Sequence, residues 1–244
     1  LRKALRSPRL KAKMEVGTDQ NVPGEDAELP DDPGRDLLRL QWAKESGQVD
    51  VELLKTGSDE ILKLFFLDGD TKTPNLSRAI IGDARNDENL AVAQFHLAVL
   101  RLHNKIVDAA PAAVVSKGTE ATFCWAQRMT RWTYQWLVRN AYLPAICHPD
   151  TLAEIERRGP VLYDDLIGRH PATGDILPMP LEFSVAAFRF GHSMARASYD
   201  WNRIFSTANG RMATFEELFQ FTGNEKMPTT RLPSNWPIAW DRFV

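Results

Sequence analysis

From Glu88 to Ala110 the apolar residues recur at helical spacing, with Leu90, Phe95, Ala98, Leu102 and Ile106 on one stripe. A helix with one apolar stripe gains little from propensity alone; it is stable when that stripe lies against other elements. The chain beyond residue 80 offers further helices as partners. A second helical pattern runs from Thr119 to Leu143. Its Trp125, Trp132 and Trp136 fall at i, i+7 and i+11, on one face, where core packing is the expected use. Asp150 opens a short helix that Arg158-Gly159-Pro160 brings to a stop. Thr214-Phe215-Glu216-Glu217 reads as a capping box, opening a helix that ends at Gly223. No internal repeat and no alternating strand pattern follow residue 80. The expected fold class is mostly α.

The first part of the chain reads differently. Six Lys or Arg stand among the first thirteen residues, and no aromatic side chain interleaves them, so a solvated arm is expected rather than a nucleic-acid surface. Residues 14–36 are loop-like, with six Asp or Glu between Glu25 and Asp36. Helical patterning starts near Asp36 with Leu37, Leu38, Leu40 and Trp42. The stretch 48–68 suits short strands or one helix equally, and 71–76 reads as a loop. This divides the chain into a loop-rich segment, 1–35, and a domain over 36–244.

With 244 residues, 43% of them hydrophobic, there is enough apolar surface for a sizeable core. A net charge of −2 excludes a strongly basic nucleic-acid binder, and no apolar run approaches the roughly 18 residues of a membrane span. Two cysteines are too few for a disulfide framework, and Cys124, in an apolar helical pattern, is expected to be buried. The sequence starts at Leu1 and shows no signal-peptide pattern, which leaves the compartment unread.

Among five histidines, His96 and His103 share a helix face seven residues apart, too far for a zinc or di-iron pair. No nucleophile elbow, phosphate loop or dinucleotide-binding glycine pattern occurs. His192 lies in an apolar helical segment behind Ala186, Ala187 and Gly191. Small neighbours leave room for a flat, bulky partner such as haem; a tightly packed core histidine would have the same neighbours. A further cluster, Gly82-Asp83-Ala84-Arg85-Asn86-Asp87-Glu88-Asn89, stands at the mouth of the long helix. Its acids suit a helix N-terminus, and Arg85 and Glu88, three apart, can project together.

Taken together, these segments resemble the animal-type haem peroxidases, particularly their bacterial members. Gly82-Asp83-x-Arg85-x-x-Glu88-Asn89, continuing through His96 to Arg101-x-His103-Asn104, is similar to the family's distal helix. Phe188-Arg189-Phe190-Gly191-His192-Ser193 is similar to its proximal-histidine motif, and Arg139-x-x-Tyr142-Leu143-Pro144 falls between them as in the family. The resemblance implies a helical fold around haem b, with His192 as axial iron ligand and Arg85 polarising bound peroxide. Glu88 takes the position of the carboxylate that esterifies a haem methyl. His96, Arg101, His103 and Asn104 take supporting roles. The implied partners are hydrogen peroxide and a small reducing substrate. The implied reaction is peroxide reduction through an oxoferryl species, and secretion is the family's usual destination.

Two departures qualify this. The family's distal histidine, in an Asp-His-Asp motif upstream of the arginine, has no counterpart before His96. The downstream asparagine that supports the proximal histidine has none before Val244. An incomplete domain, truncated at both ends, is the expectation; a degenerate distal pocket is the other reading. Two other functions stay open. A haem-dependent fatty-acid dioxygenase of the same superfamily would want a radical tyrosine near His192, where Phe188 and Phe190 stand. A non-catalytic helical remnant would hold no haem.

Overall fold

Residues 12–14, 16–18, 33–45, 75–169, 178–223 and 231–243 are described by a computed structural model. They are mostly helical, as the periodicity predicts. The chain divides into two compact units, Leu1–Thr130 with Ala197–Val244, and Arg131–Arg196. The undecided stretch 48–68, the basic arm up to Lys11 and most of 71–76 lie outside the described residues.

The first unit begins with a pairing where a loop is expected. Strand β1 (Gly17–Thr18) runs antiparallel to β2 (Pro33–Asp36), with Gly17 opposite Asp36. Glycine is required there, because a Cβ on Gly17 would lie 2.3 Å from the Leu37 carbonyl oxygen. Helix α1 (Leu40–Glu45) follows, and its entry is laced to residues 76–80. Leu40 N–H donates to the Arg78 carbonyl at 2.9 Å, and Ile80 N–H to that of Leu38 at 2.7 Å.

The long helix α2 spans Leu90–Asp108, close to its expected bounds. Its buried face is Leu90, Ala93, Gln94, Leu97 and His103, while Phe95 is 45% exposed. The stripe chosen from sequence is thus rotated from the true one. Gln94 explains the difference, since its carboxamide is buried by bonding backbone on both sides. Its Nε2 donates to the Arg35 carbonyl at 3.0 Å, and its Oε1 accepts from Ile238 N–H at 3.3 Å. A polar residue can face the core once its hydrogen bonds are made.

Around α2 sit two apolar clusters. One joins Leu37, Ala79, Ile81, Ala93 and Leu97. The other joins Leu90, Trp201, Phe205, Ala213, Leu218, Leu232 and Trp236, with the Phe205 and Trp236 rings stacked at 4.1 Å. The indole N–H of Trp201 donates to the Trp236 carbonyl at 2.6 Å, so its polar handle costs nothing inside. A second two-stranded pairing, β3 (Ser198–Tyr199) with β4 (Ala213–Thr214), closes this part.

The expected capping box is present. Thr214 N–H donates to Glu217 Oε2 at 2.8 Å, and Glu217 N–H to Thr214 Oγ1 at 3.2 Å. It opens only a 3-10 turn, Glu217–Phe219, and no helix reaches Gly223. Phe221 adopts a left-handed φ of 59°, and its ring packs 5.5 Å from that of Trp236. Burial of Leu218 and this ring overrides helix propagation.

Helix α3 (Ala112–Val115) and helix α4 (Thr119–Leu137) come next, the unit boundary falling within α4. The tryptophan stripe expected in the core is not there. Trp132 and Trp136 are 55% and 61% exposed. The buried face of α4 is Thr122, Phe123 and Ala126, with the Phe123 ring 5.3 Å from that of His103. Cys124, expected inside, is exposed.

The second unit continues through a π-helical stretch, Val138–Tyr142, into α5 (Leu143–Ile146) and α6 (Pro149–Arg158). His148, preceding α6, accepts from Asp150 N–H, and Gly159, at φ 77°, stops the helix as its sequence predicts. Helices α7 (Val161–Arg169) and α8 (Leu181–Val185) complete the described elements before the histidine segment.

Candidate functional site

Arg85 and Glu88 belong to the first unit and His192 to the second, so the sequence-predicted site has two halves, each with its own geometry. In the first, Asp83 caps a 3-10 turn, Ala84–Asp87, that leads into α2. Its carboxylate accepts from Arg85 N–H at 3.0 Å and pairs with the Arg85 guanidinium, Nη2 to Oδ2 at 2.5 Å. The hydrogen bonds from Arg85 hold the Asp83 carboxyl down at about 2, and the same contact raises Arg85 above its ordinary value. Arg85 is thus a fixed cation on a side chain 80% exposed. Glu88 follows at the end of the turn, exposed, and its charge also favours the guanidinium. The structure brings these two residues together. Asn89 then caps α2 by accepting from Val92 N–H at 3.0 Å.

Asp87, between Arg85 and Glu88, turns inward to a feature that sequence reading missed. Arg39 is 1% exposed, an arginine in the apolar run Leu37-Leu38-Arg39-Leu40. Its Nε and Nη2 donate to Asp36, and its Nη1 donates to Asp87 Oδ2 at 3.0 Å. The guanidinium also donates to the carbonyls of Ser77 (2.9 Å) and Phe221 (2.8 Å). Asp36 in turn accepts from Leu232 N–H at 2.9 Å. Burial alone would lower the Arg39 pKa, but Asp36 and Asp87 together raise it. Burial raises that of Asp87, the second carboxylate on one guanidinium, against the pull of Arg39. This clamp fixes the floor of the turn that carries Arg85. The signal in the sequence is the charge itself, since a buried arginine demands carboxylates.

A second tie holds the turn from above. The Asn86 amide donates to His96 Nδ1 at 3.0 Å, which requires the imidazole to be neutral. Burial accordingly lowers the His96 pKa below its usual value. His103 is buried and Asn104 binds the Met14 backbone, accepting its N–H at 2.7 Å and donating to its carbonyl at 2.9 Å.

In the second unit, α8 breaks at Ala186 and continues as a 3-10 segment, Ala187–Met194, rather than the regular helix expected. His192 is exposed there, and its Nδ1 lies 2.8 Å from the Arg189 carbonyl. A carbonyl can only accept, so in the neutral ring Nδ1 carries the proton and Nε2 the lone pair. That is how a metal-ligating histidine is commonly held, one nitrogen on a backbone carbonyl and the other facing the metal. Gly191 and His192 are both exposed, so the ring is open to solvent. Among the described residues no group of three His, Cys, Asp or Glu could hold a bare metal ion. A lone imidazole suits an iron whose other equatorial ligands come with a macrocycle. The donor fits haem.

The sequence matches the animal haem peroxidase family over residues 35–226. The chain belongs to that family. It is 30% identical over 132 residues to heme peroxidase 2 of Caenorhabditis elegans, covering 54% of this chain and 17% of the relative. It is 31% identical over 124 residues to a peroxidase-like protein of Margaritifera margaritifera, covering 49% and 14%. With the thyroid peroxidase of Rattus norvegicus it shares 26% identity over 167 residues, 66% of this chain and 17% of the relative. The chain thus spans less than a fifth of the length of these curated relatives. No solved structure matches it significantly.

Proposed function

We propose that the chain carries the iron-ligand and arginine elements of a haem-dependent peroxidase acting on hydrogen peroxide and a small reducing substrate. The observation that carries this reading is His192, whose Nδ1 is pinned to the Arg189 carbonyl while Nε2 is left to ligate. Haem b, when bound, supplies the redox chemistry of peroxide cleavage. His192 would hold the iron, and its bonded Nδ1 would increase the ring's basicity. Arg85 would offer bound peroxide a permanent positive charge, which suits the negative charge that develops when an O–O bond breaks. Asp83 aims that charge, and the Asn86–His96 bond keeps the turn in place. Glu88, exposed beside Arg85, supplies the carboxylate for an ester to the cofactor.

The test is spectral. Haem added to the chain gives a Soret band, and His192→Ala removes it; no band with the native sequence sinks the reading. Arg85→Gln keeps the band and slows peroxide turnover by about 10²–10³-fold, the usual loss of a donor aimed at developing charge. Glu88→Gln keeps the band but lets acidified acetone extract the haem, where the native chain retains it. Turnover of guaiacol with peroxide, and none of linoleate with dioxygen, separates this reading from a fatty-acid dioxygenase.

A further inference from the structure

A four-residue 3-10 turn has little stability of its own, so the direction of its side chains is set by what holds it. In Ala84–Asp87, with three residues to a turn, Arg85 and Glu88 fall on one side and Asp87 on another. When Asp87 points inward, Arg85 and Glu88 therefore point outward together. Two ties on this turn are at or near the surface. Asp83 grips Arg85 through side chains 41% and 80% exposed, and Asn86 meets His96 through one bond. Exposed ion pairs of that kind contribute little.

The third tie is buried. Arg39 donates to Asp87 twice, Nη1 to Oδ2 at 3.0 Å and Nη2 to Oδ1 at 3.4 Å. A guanidinium is planar with its donors at fixed angles, so it places its acceptors relative to one another. Through Arg39 the Asp87 carboxylate is thus located against Asp36 and the carbonyls of Ser77 and Phe221. The Ala79 backbone also bonds that carboxylate, and Gly223 N–H donates to the Asp87 carbonyl at 3.2 Å. The space behind is closed, since a Cβ on Gly223 would lie 2.6 Å from Asp87 Oδ2. Phe221, whose carbonyl completes the set, holds a left-handed φ of 59°, which an aromatic residue keeps only where its surroundings impose it. Asp87 is held by side chain and main chain alike, from segments far away in sequence.

We propose that Asp87 and Arg39 are positioning residues for Arg85. Buried as they are, they act only through the turn, fixing its rotation and so the direction in which the Arg85 guanidinium and the Glu88 carboxylate project. The use of that direction on peroxide rests on the haem-peroxidase reading; the positioning itself does not, and it is tested first on the haem-free chain.

Asp83 is the reporter, because its bonds from Arg85 hold its carboxyl down at about 2. Carboxyl-carbon NMR follows its titration, with the signal assigned by Asp83→Asn. In Asp87→Ala the Asp83 midpoint rises toward the ordinary value of about 3.9. In Asp87→Asn, which keeps the shape and an acceptor for Arg39, it rises less. Asp87→Asn also removes one of two carboxylates sharing a buried guanidinium, so it carries the test should Asp87→Ala melt early. Leu218→Ala, a core truncation in the same unit and outside the clamp, leaves the midpoint in place. In the haem-loaded chain Asp87→Ala lowers kcat for peroxide about 10–100-fold with the Soret band unchanged, the usual loss from a small misplacement. A midpoint unmoved in both Asp87 variants overturns the proposal. So does an equal rise in Leu218→Ala, which would make the effect one of general loosening. A midpoint that rises in a chain giving no Soret band keeps the positioning role and removes the haem reading instead.

Discussion

The two compact units treat their apolar residues in opposite ways. In the first, Trp201, Phe205, Leu90 and Leu232 are at most 1% exposed, and the bonds that hold them join distant parts of the chain. In Arg131–Arg196 no described residue is buried. Leu162 is 87% exposed, Phe188 71% and Leu181 69%. The contacts there are mostly between sequence neighbours, as in Arg158 with Glu154 and Arg169 with Asp165, joined by longer ties such as Tyr163 to the Pro178 carbonyl. An amphipathic pattern records that a face is suited to being covered; it does not say by what. The tryptophans of α4 teach this within one helix, where the pattern is continuous and only Thr122, Phe123 and Ala126 are buried.

The contrast can be broken most forcibly at Arg39. Arg39→Ala leaves Asp36 and Asp87 buried without their cation and should cost about 3–5 kcal/mol in denaturant unfolding. A loss under about 1 kcal/mol would show that water reaches the clamp. Next comes a paired substitution. Trp201→Ala should cost about 3–5 kcal/mol, a buried aromatic being replaced by a cavity. Trp136→Ala, on the exposed side, should stay within about 0.5 kcal/mol, and a comparable loss at both would erase the distinction between units.

Gly223 gives a smaller effect. A Cβ there would lie 2.6 Å from Asp87 Oδ2 and 3.3 Å from Arg78 Cδ, so Gly223→Ala should destabilise by about 1–3 kcal/mol. Because Asp87 adjoins Arg85 through one turn, the same change should also alter peroxide turnover at constant haem content.

The smallest effect is the pH response of His96. Its folded pKa lies below the unfolded one, so the neutral ring's contribution is present above the unfolded value of about 6.5 and is lost as pH falls through the folded value. Imidazole proton NMR should place its midpoint below the ordinary imidazole value of about 6.5. His96→Gln should flatten the weak-acid limb of the stability profile, and an unchanged limb would assign it elsewhere.

What could be read without coordinates was local or familial. Helix α2 announced itself through period and caps, α6 through Gly159, and the Thr214–Glu217 bonds through their spacing. Family membership came from two short motifs a hundred residues apart. The missed features share one cause, which is that their partners lie far away in sequence. Arg39 bonds a carbonyl 182 positions on, and Gln94 binds residues 59 positions behind and 144 ahead. No window of sequence contains those pairs, so neither the buried charge nor the buried amide can be read from local pattern. The 3-10 geometry at His192 was likewise invisible, since its residues read as an apolar helix.

The bond from Leu232 N–H to Asp36 spans 196 positions and has a consequence for biosynthesis. A ribosome adding about 5–20 residues per second leaves the nascent clamp open for roughly 10–40 s after Asp36 emerges. Throughout that interval the guanidinium and its two carboxylates stay hydrated, and the residues of Arg131–Arg196 must be threaded out before the first unit can close. Translation speed across that insertion, rather than any single contact, then sets how long the nascent chain is exposed to chaperones and proteases.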